Sequence, residues 1–127
     1  MKIILLVENN ARVLRTLAET AKTLLDEIGT IPAKVLIAGS REEVIDIFSG
    51  QYIDLLIVDH DMPGTNGFDS IKLLCNEPAK MKTALMVERS FPFSIVETVV
   101  ENGISDVLVK PVERDRLKEV LLKMASP

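Results

Sequence analysis

Five short runs of consecutive apolar residues punctuate the chain: Ile3–Val7, Val35–Ala38, Leu55–Val58, Ala84–Val87 and Val107–Val109. Unbroken rather than alternating hydrophobicity predicts strands buried on both faces, as in a parallel sheet covered by helices. The stretches between them have helical spacing. In the first, Val13, Leu14, Leu17, Ala21, Leu24, Leu25 and Ile28 form one stripe, and Gly29 supplies a stop. In the second, Ser40 and Glu43 have the spacing of a capping box ahead of Val44, Ile45, Ile47 and Phe48. The third carries Phe68, Ile71, Leu74 and Cys75, and the fourth Ile95, Val96, Val99 and Val100 before Asn102-Gly103. The fifth carries Leu117, Val120, Leu121 and Met124. Repeated strand–helix alternation predicts right-handed crossovers and a parallel α/β sheet. The order of the strands does not follow from this pattern.

No internal repeat, low-complexity tract or linker interrupts the alternation, and 127 residues suit one domain, so residues 1–127 are expected to form a single unit. Apolar residues at 47% and charged residues at 27% give the balance of a soluble protein with one core. Aromatics are scarce, which favours aliphatic helices packed on a sheet over an aromatic binding surface. A formal net charge of −4 offers no general affinity for nucleic acid or an anionic membrane. Cys75 is the one cysteine, so an internal disulfide and a thiolate metal cluster are excluded; it reads as a core residue in a cytoplasmic protein. The first apolar run meets Glu8 too soon for a signal peptide or a membrane span.

Candidate chemistry collects at the carboxyl ends of the runs, where open α/β sheets place their sites. The first run ends at Glu8-Asn9, the third at Asp59-His60-Asp61, the fourth at Glu88-Arg89-Ser90 and the fifth at Lys110-Pro111. Singly, each is what the polar end of any strand looks like. The segment Leu56-Ile57-Val58-Asp59-His60-Asp61-Met62-Pro63-Gly64-Thr65-Asn66-Gly67 is more specific, since a buried strand delivers a carboxylate to its tip before a tight Pro/Gly loop. Lys110 at another tip can neutralise an anion held near Asp59. His60 has no metal-ligand spacing around it and reads as a solvent-facing loop residue.

These residues resemble the receiver domain of bacterial two-component response regulators over nearly the whole chain. Asp59 followed by Met62-Pro63-Gly64 matches the phosphoacceptor signature, and Lys110-Pro111 matches the family's lysine with its cis-peptide proline. The resemblance implies a doubly wound (βα)5 flavodoxin-like sheet of order 2-1-3-4-5 and a non-enzymatic signalling role. It implies that Asp59 accepts a phosphoryl group as an acyl phosphate and that Lys110 pairs with it. It also implies Mg2+ held by Glu8, Asn9, Asp59 and the backbone carbonyl of Asp61. The implied partners are a histidine kinase or phosphotransfer protein and a downstream protein. The latter would meet the face of the fourth helix, fifth strand and fifth helix, where Phe91 and Phe93 are candidate anchors; a second copy of the chain is a further implied partner.

Three positions depart from the family pattern. Asn9 stands where a carboxylate normally contacts the metal, and a charge pair at about 4 Å gains roughly 4 kcal/mol at an effective dielectric near 20 before desolvation. Asp61 could restore part of that charge through its side chain. Glu88 occupies the position of the Ser/Thr switch, where an ionised carboxylate cannot donate a hydrogen bond and repels a phosphorylated Asp59; Ser90 is the weaker substitute. Val107 replaces the usual aromatic reporter. Two readings therefore stand side by side: a phosphorylatable receiver, and a pseudo-receiver in which Glu88 holds Lys110 and protein contact proceeds without phosphate. A flavin or nucleotide carrier is disfavoured, because Glu8-Asn9-Asn10-Ala11-Arg12 offers no phosphate cradle.

Overall fold

The computed structural model describes residues 1–61, 80–90 and 103–126. The strands are β1 (Lys2–Val7), β2 (Ala33–Ala38), β3 (Leu55–Asp59), β4 (Lys82–Val87) and β5 (Asp106–Val109). The described helices are α1 (Ala11–Ile28), α2 (Arg41–Gly50) and α3 (Arg114–Met124). All four strand pairings are parallel, in the order β2-β1-β3-β4-β5. The order expected from the resemblance is the order found. The expected third and fourth helical stretches, with Cys75, Phe91 and Phe93, lie outside the described residues, as do residues 62–67, where a tight loop was expected.

The sheet has a core on each face. Side chains of successive strand residues point to opposite sides, so Ile4 and Leu6 join α1 and α3 while Leu5 and Val7 join the other layer with Val44 of α2. Every residue of β3 is buried. The central strands thus fit the two-sided burial expected of unbroken apolar runs. The edge strand β2 does not: Ile37 is half exposed, because an edge position lacks a neighbour on one side. Each strand except β3 also starts one or two residues before its apolar run, since a ladder hydrogen bond needs backbone rather than hydrophobicity.

Local chemistry sets the helix ends. Asn10, in extended conformation, accepts from the backbone N–H groups of Arg12 and Val13 and opens α1. Gly29 closes it at φ 71, a left-handed value that glycine adopts without a Cβ clash, and its N–H donates to the Leu25 carbonyl. Ser40 caps α2 by accepting from the Glu43 N–H at 3.2 Å. Glu43 reaches back to the Gly39 N–H, one residue before the partner a standard capping box uses. In α3, Leu117, Val120, Leu121 and Met124 are buried as the spacing predicted. Val13 does not belong to the buried stripe of α1; it lies at the stripe's edge and is 41% exposed. At the opposite end of the sheet from the strand tips, Lys82 donates to the carbonyls of Lys123 and Ser126, tying β4 to the end of α3.

Candidate functional site

A parallel sheet brings all its carboxyl ends to one edge, and the register decides which residues meet there. Val7 pairs with Val58, so Glu8 and Asp59 follow one another across the β1–β3 boundary. Val87 pairs with Val109, so Glu88 and Lys110 do the same across β4–β5. The ladder extends one residue past the strands and fixes these backbones. Glu8 N–H donates to Ala38 O at 3.2 Å, His60 N–H to Met86 O at 2.8 Å, and Lys110 N–H to Val87 O at 2.8 Å. The peptide bond between Lys110 and Pro111 is cis, as the resemblance implied.

The long stem of Lys110 crosses β4 and delivers its ammonium to both carboxylates. Nζ donates to Asp59 Oδ2 at 2.7 Å and lies 2.9 Å from Glu8 Oε2. Glu8 and Asp59 are 2% and 3% exposed, which makes them two of the three buried polar residues described. Each carboxylate also accepts a backbone N–H from the loop that follows it: Asn10 N–H reaches Glu8 Oε1 and Asp61 N–H reaches Asp59 Oδ1, both at 3.1 Å. Three of the four carboxylate oxygens are satisfied in this way or by the lysine hydrogen bond. Glu8 Oε2 is the exception, near the ammonium but without hydrogen-bond alignment to it.

The charge balance shifts both titrations. Burial pushes the Asp59 carboxyl up, but the hydrogen bond from Lys110, the Asp61 N–H and the lysine charge outweigh it and hold the group below its ordinary value. Burial pushes the Lys110 ammonium down, but Asp59 and then Glu8 outweigh that and hold it above its ordinary value. Asp59 is therefore an ionised carboxylate at neutral pH, with the Lys110 ammonium hydrogen-bonded to one of its oxygens.

The remaining predicted site residues are arranged more loosely. Glu88 is 65% exposed in its side chain and lies 3.9 Å from Lys110 Nζ, an outer partner rather than part of the buried cluster. Asn9, Asp61, His60 and Ser90 are exposed, and Val107 is half-buried. Among the described residues no group of three or more His, Cys, Asp or Glu side chains is placed to hold a metal. A dication here would have to draw on Glu8, Asp59, the Asn9 amide and the Asp61 carbonyl. That all-oxygen set suits Mg2+, and the unaligned buried oxygen of Glu8 is the observation that fits it.

Sequence reasoning named Glu8 as part of an acidic pair beside Asn9 but missed it as the second carboxylate of Lys110. Burial was the missing signal: a glutamate directly following four buried strand residues is carried into the interior with them.

The family model described as the response regulator receiver domain matches residues 4–122. The chain belongs to that family. Among curated proteins, the receiver is 26% identical over 118 residues to the transcriptional regulatory protein MalR of Bacillus subtilis, covering 93% of this chain and 48% of that protein. It is 29% identical over 86 residues to the CAI-1 autoinducer sensor kinase/phosphatase CqsS of Vibrio cholerae, covering 66% of this chain and 12% of that protein. The receiver therefore spans about half or less of the length of these relatives. Among solved structures, it matches the signal receiver domain of a DNA-binding response regulator (merR) from Colwellia psychrerythraea with a TM-score of 0.84 at 20% identity, over 100% of both chains. That likeness speaks to the fold. Receivers are in general non-enzymatic signalling modules that typically bind Mg2+ at the active site and interact with histidine kinases and downstream effectors. No described helix is long and apolar enough to cross a membrane.

Proposed function

We propose that residues 1–127 act as one receiver domain that accepts a phosphoryl group on Asp59 and passes the signal on by protein contact. The observation that carries this reading is the buried pairing of Asp59 with Lys110 at the strand tips. An Asp59 carboxylate oxygen attacks phosphorus and forms an acyl phosphate. The bond from phosphorus to the donor's leaving atom breaks, and that atom keeps the electron pair. Lys110 shifts from the carboxylate oxygen to a phosphoryl oxygen. Glu8 stays beside the ammonium and keeps it from leaving the site, and the Asp61 N–H orients the nucleophile through Oδ1. Mg2+, when bound by Glu8, Asn9, Asp59 and the Asp61 carbonyl, supplies charge neutralisation on the transferring oxygens.

The donor in this reading is a histidine kinase or phosphotransfer protein, in keeping with the sensor-kinase relative, and the site is cytoplasmic. The receiving surface is the face built by the fourth helical stretch, β5 and α3, engaging a downstream protein or a second copy of the chain. Incubation with acetyl phosphate and Mg2+ should add one phosphate to the intact mass, and Asp59→Ala should abolish it. No mass gain at saturating donor would overturn the proposal.

A second reading is favoured by one contact. Glu88 stands 3.9 Å from Lys110, a carboxylate where a hydroxyl would be needed to hydrogen-bond the phosphoryl group. In that reading the cluster is a fixed structural element and the domain binds its partner without phosphate. Partner affinity unchanged by acetyl phosphate and by Asp59→Ala would select it.

A further inference from the structure

β2 is an outer strand with an open edge. Lys2 N–H donates to Pro32 O at 2.9 Å and Glu8 N–H to Ala38 O at 3.2 Å, so Lys34 and Leu36, in phase with them, also face β1. The alternation turns the N–H and C=O groups of Ala33, Val35 and Ile37 outward, and no described residue bonds to them. The Ile37 side chain is half exposed at the same edge. A long apolar edge of this kind invites strand pairing. The opposite edge of the sheet is protected: β5 is shorter, and Arg116 already donates to the Val107 carbonyl at 3.2 Å.

The charges of α1 carry a second, independent pattern. Its first turn holds no acid and its last turn no base, although the helix dipole favours acids first and bases last. Arg15, Glu19, Lys22 and Asp26 are all exposed and, at about 100° per residue, fall on one stripe. That stripe lies on the flank away from Val13, Thr16 and Thr20, which share a cavity with Val112 and Leu117. It therefore faces the β2 side of the molecule. None of the four makes an ion pair with a described residue. Their order is basic, acidic, basic, acidic, so a copy running the other way opposes every charge with its opposite.

We propose that this edge is an interface between two copies of the chain, in which β2 pairs antiparallel with β2 about a two-fold axis at Val35. Val35 then faces the partner's Val35, and Ala33 faces the partner's Ile37. All the outward N–H and C=O groups of the three residues find partners, and the exposed Ile37 is covered. Lys34 stands opposite the partner's Leu36 on the other face, so like charges do not meet there. The same axis sets the two α1 helices antiparallel, with Arg15 toward the partner's Asp26 and Glu19 toward the partner's Lys22. Both symmetry centres lie at mid-height of the sheet: Val35 pairs with Ile4 in the middle of β1, and the charged stripe is centred on the middle of α1. The interface leaves the β5 and α3 face open, uses no residue of the Asp59 cluster, and stands whether or not Asp59 accepts phosphate.

Sedimentation equilibrium of the full chain, up to roughly 0.5 mM, tests it. The native chain should show a monomer–dimer equilibrium without phosphodonor. Ile37→Lys places a charge at the centre of the interface and should abolish the dimer while leaving the melting curve in place. Lys22→Glu sets like charges opposite one another twice across the axis and should weaken the dimer about tenfold or more. Adding Glu19→Lys to it restores opposite charges and should recover most of that loss. The proposal is overturned by a monomer at every concentration, by a dimer that persists in folded Ile37→Lys, or by a double reversal that associates no more tightly than Lys22→Glu alone.

Discussion

Lys110 has three carboxylates around it, two buried and one exposed, and they contribute differently. Removing the ammonium by Lys110→Ala leaves Glu8 and Asp59 facing one another without a counterion. Breaking a buried pair in this way costs about 3–5 kcal/mol, which should appear as a lower urea midpoint at neutral pH. Adding Asp59→Asn removes one of the two repelling charges, so the double variant should recover part of the loss; strictly additive losses would contradict a shared cluster. Glu88→Gln should behave otherwise. At an exposed position it should change stability by less than about 0.5 kcal/mol. It should also speed phosphate uptake from acetyl phosphate roughly two- to fivefold, as expected from relieving about 0.5–1 kcal/mol of screened repulsion. A rate unchanged or lowered in Glu88→Gln would show that this carboxylate does not oppose the incoming phosphoryl group.

At the scale of elements, the two ends of α1 make independent contributions that the site should not feel. Asn10→Ala removes the cap on the Arg12 and Val13 N–H groups and should cost about 1 kcal/mol. It keeps the backbone N–H that Asn10 donates to Glu8, so phosphate uptake should be unchanged. Gly29→Ala forces a Cβ into the left-handed region and should cost a similar amount, about 1 kcal/mol. Thermal melts of both variants alongside mass-resolved phosphorylation separate the two readouts. The elements themselves were largely legible, because apolar run length and helical spacing report directly on burial: the β3 run and the Leu117-to-Met124 stripe were found where expected. Ile37 and Val13 were misread for a related reason. Hydrophobicity says that a residue can be buried, whereas its place on an edge strand or at a stripe's margin decides whether it is. The cap at Asn10 was not read at all, since Asn9-Asn10 resembles any polar loop until the helix register is known.

At the scale of the molecule, the cluster exists only because the sheet order brings β1, β3 and β5 within reach of one lysine stem. Strand-tip residues could be named from sequence, but the Glu8–Lys110 contact could not, since it depends on an order that the apolar pattern leaves open. That dependence makes the cluster a reporter of global folding, and its titration should show in global stability. In the unfolded chain Asp59 titrates near its ordinary value of about 3.9 and Lys110 near about 10.4. The folded Asp59 lies lower, so its contribution is present above about 3.9 and is lost as pH falls through the folded value. The folded Lys110 lies higher, so its contribution is present below about 10.4 and is lost as pH rises through the folded value. Between these limits neither group changes protonation in either state, and the pair should give a plateau across neutral pH. Urea midpoints measured over the full range should thus fall at both ends for the native chain. In Asp59→Asn the acid-side loss should be shallower, because one depressed carboxyl is gone, while the alkaline loss should shrink but persist through Glu8. If the native chain and Asp59→Asn lose stability in parallel on acidification, Asp59 is not held by the folded structure, and the buried lysine pair does not organise the site.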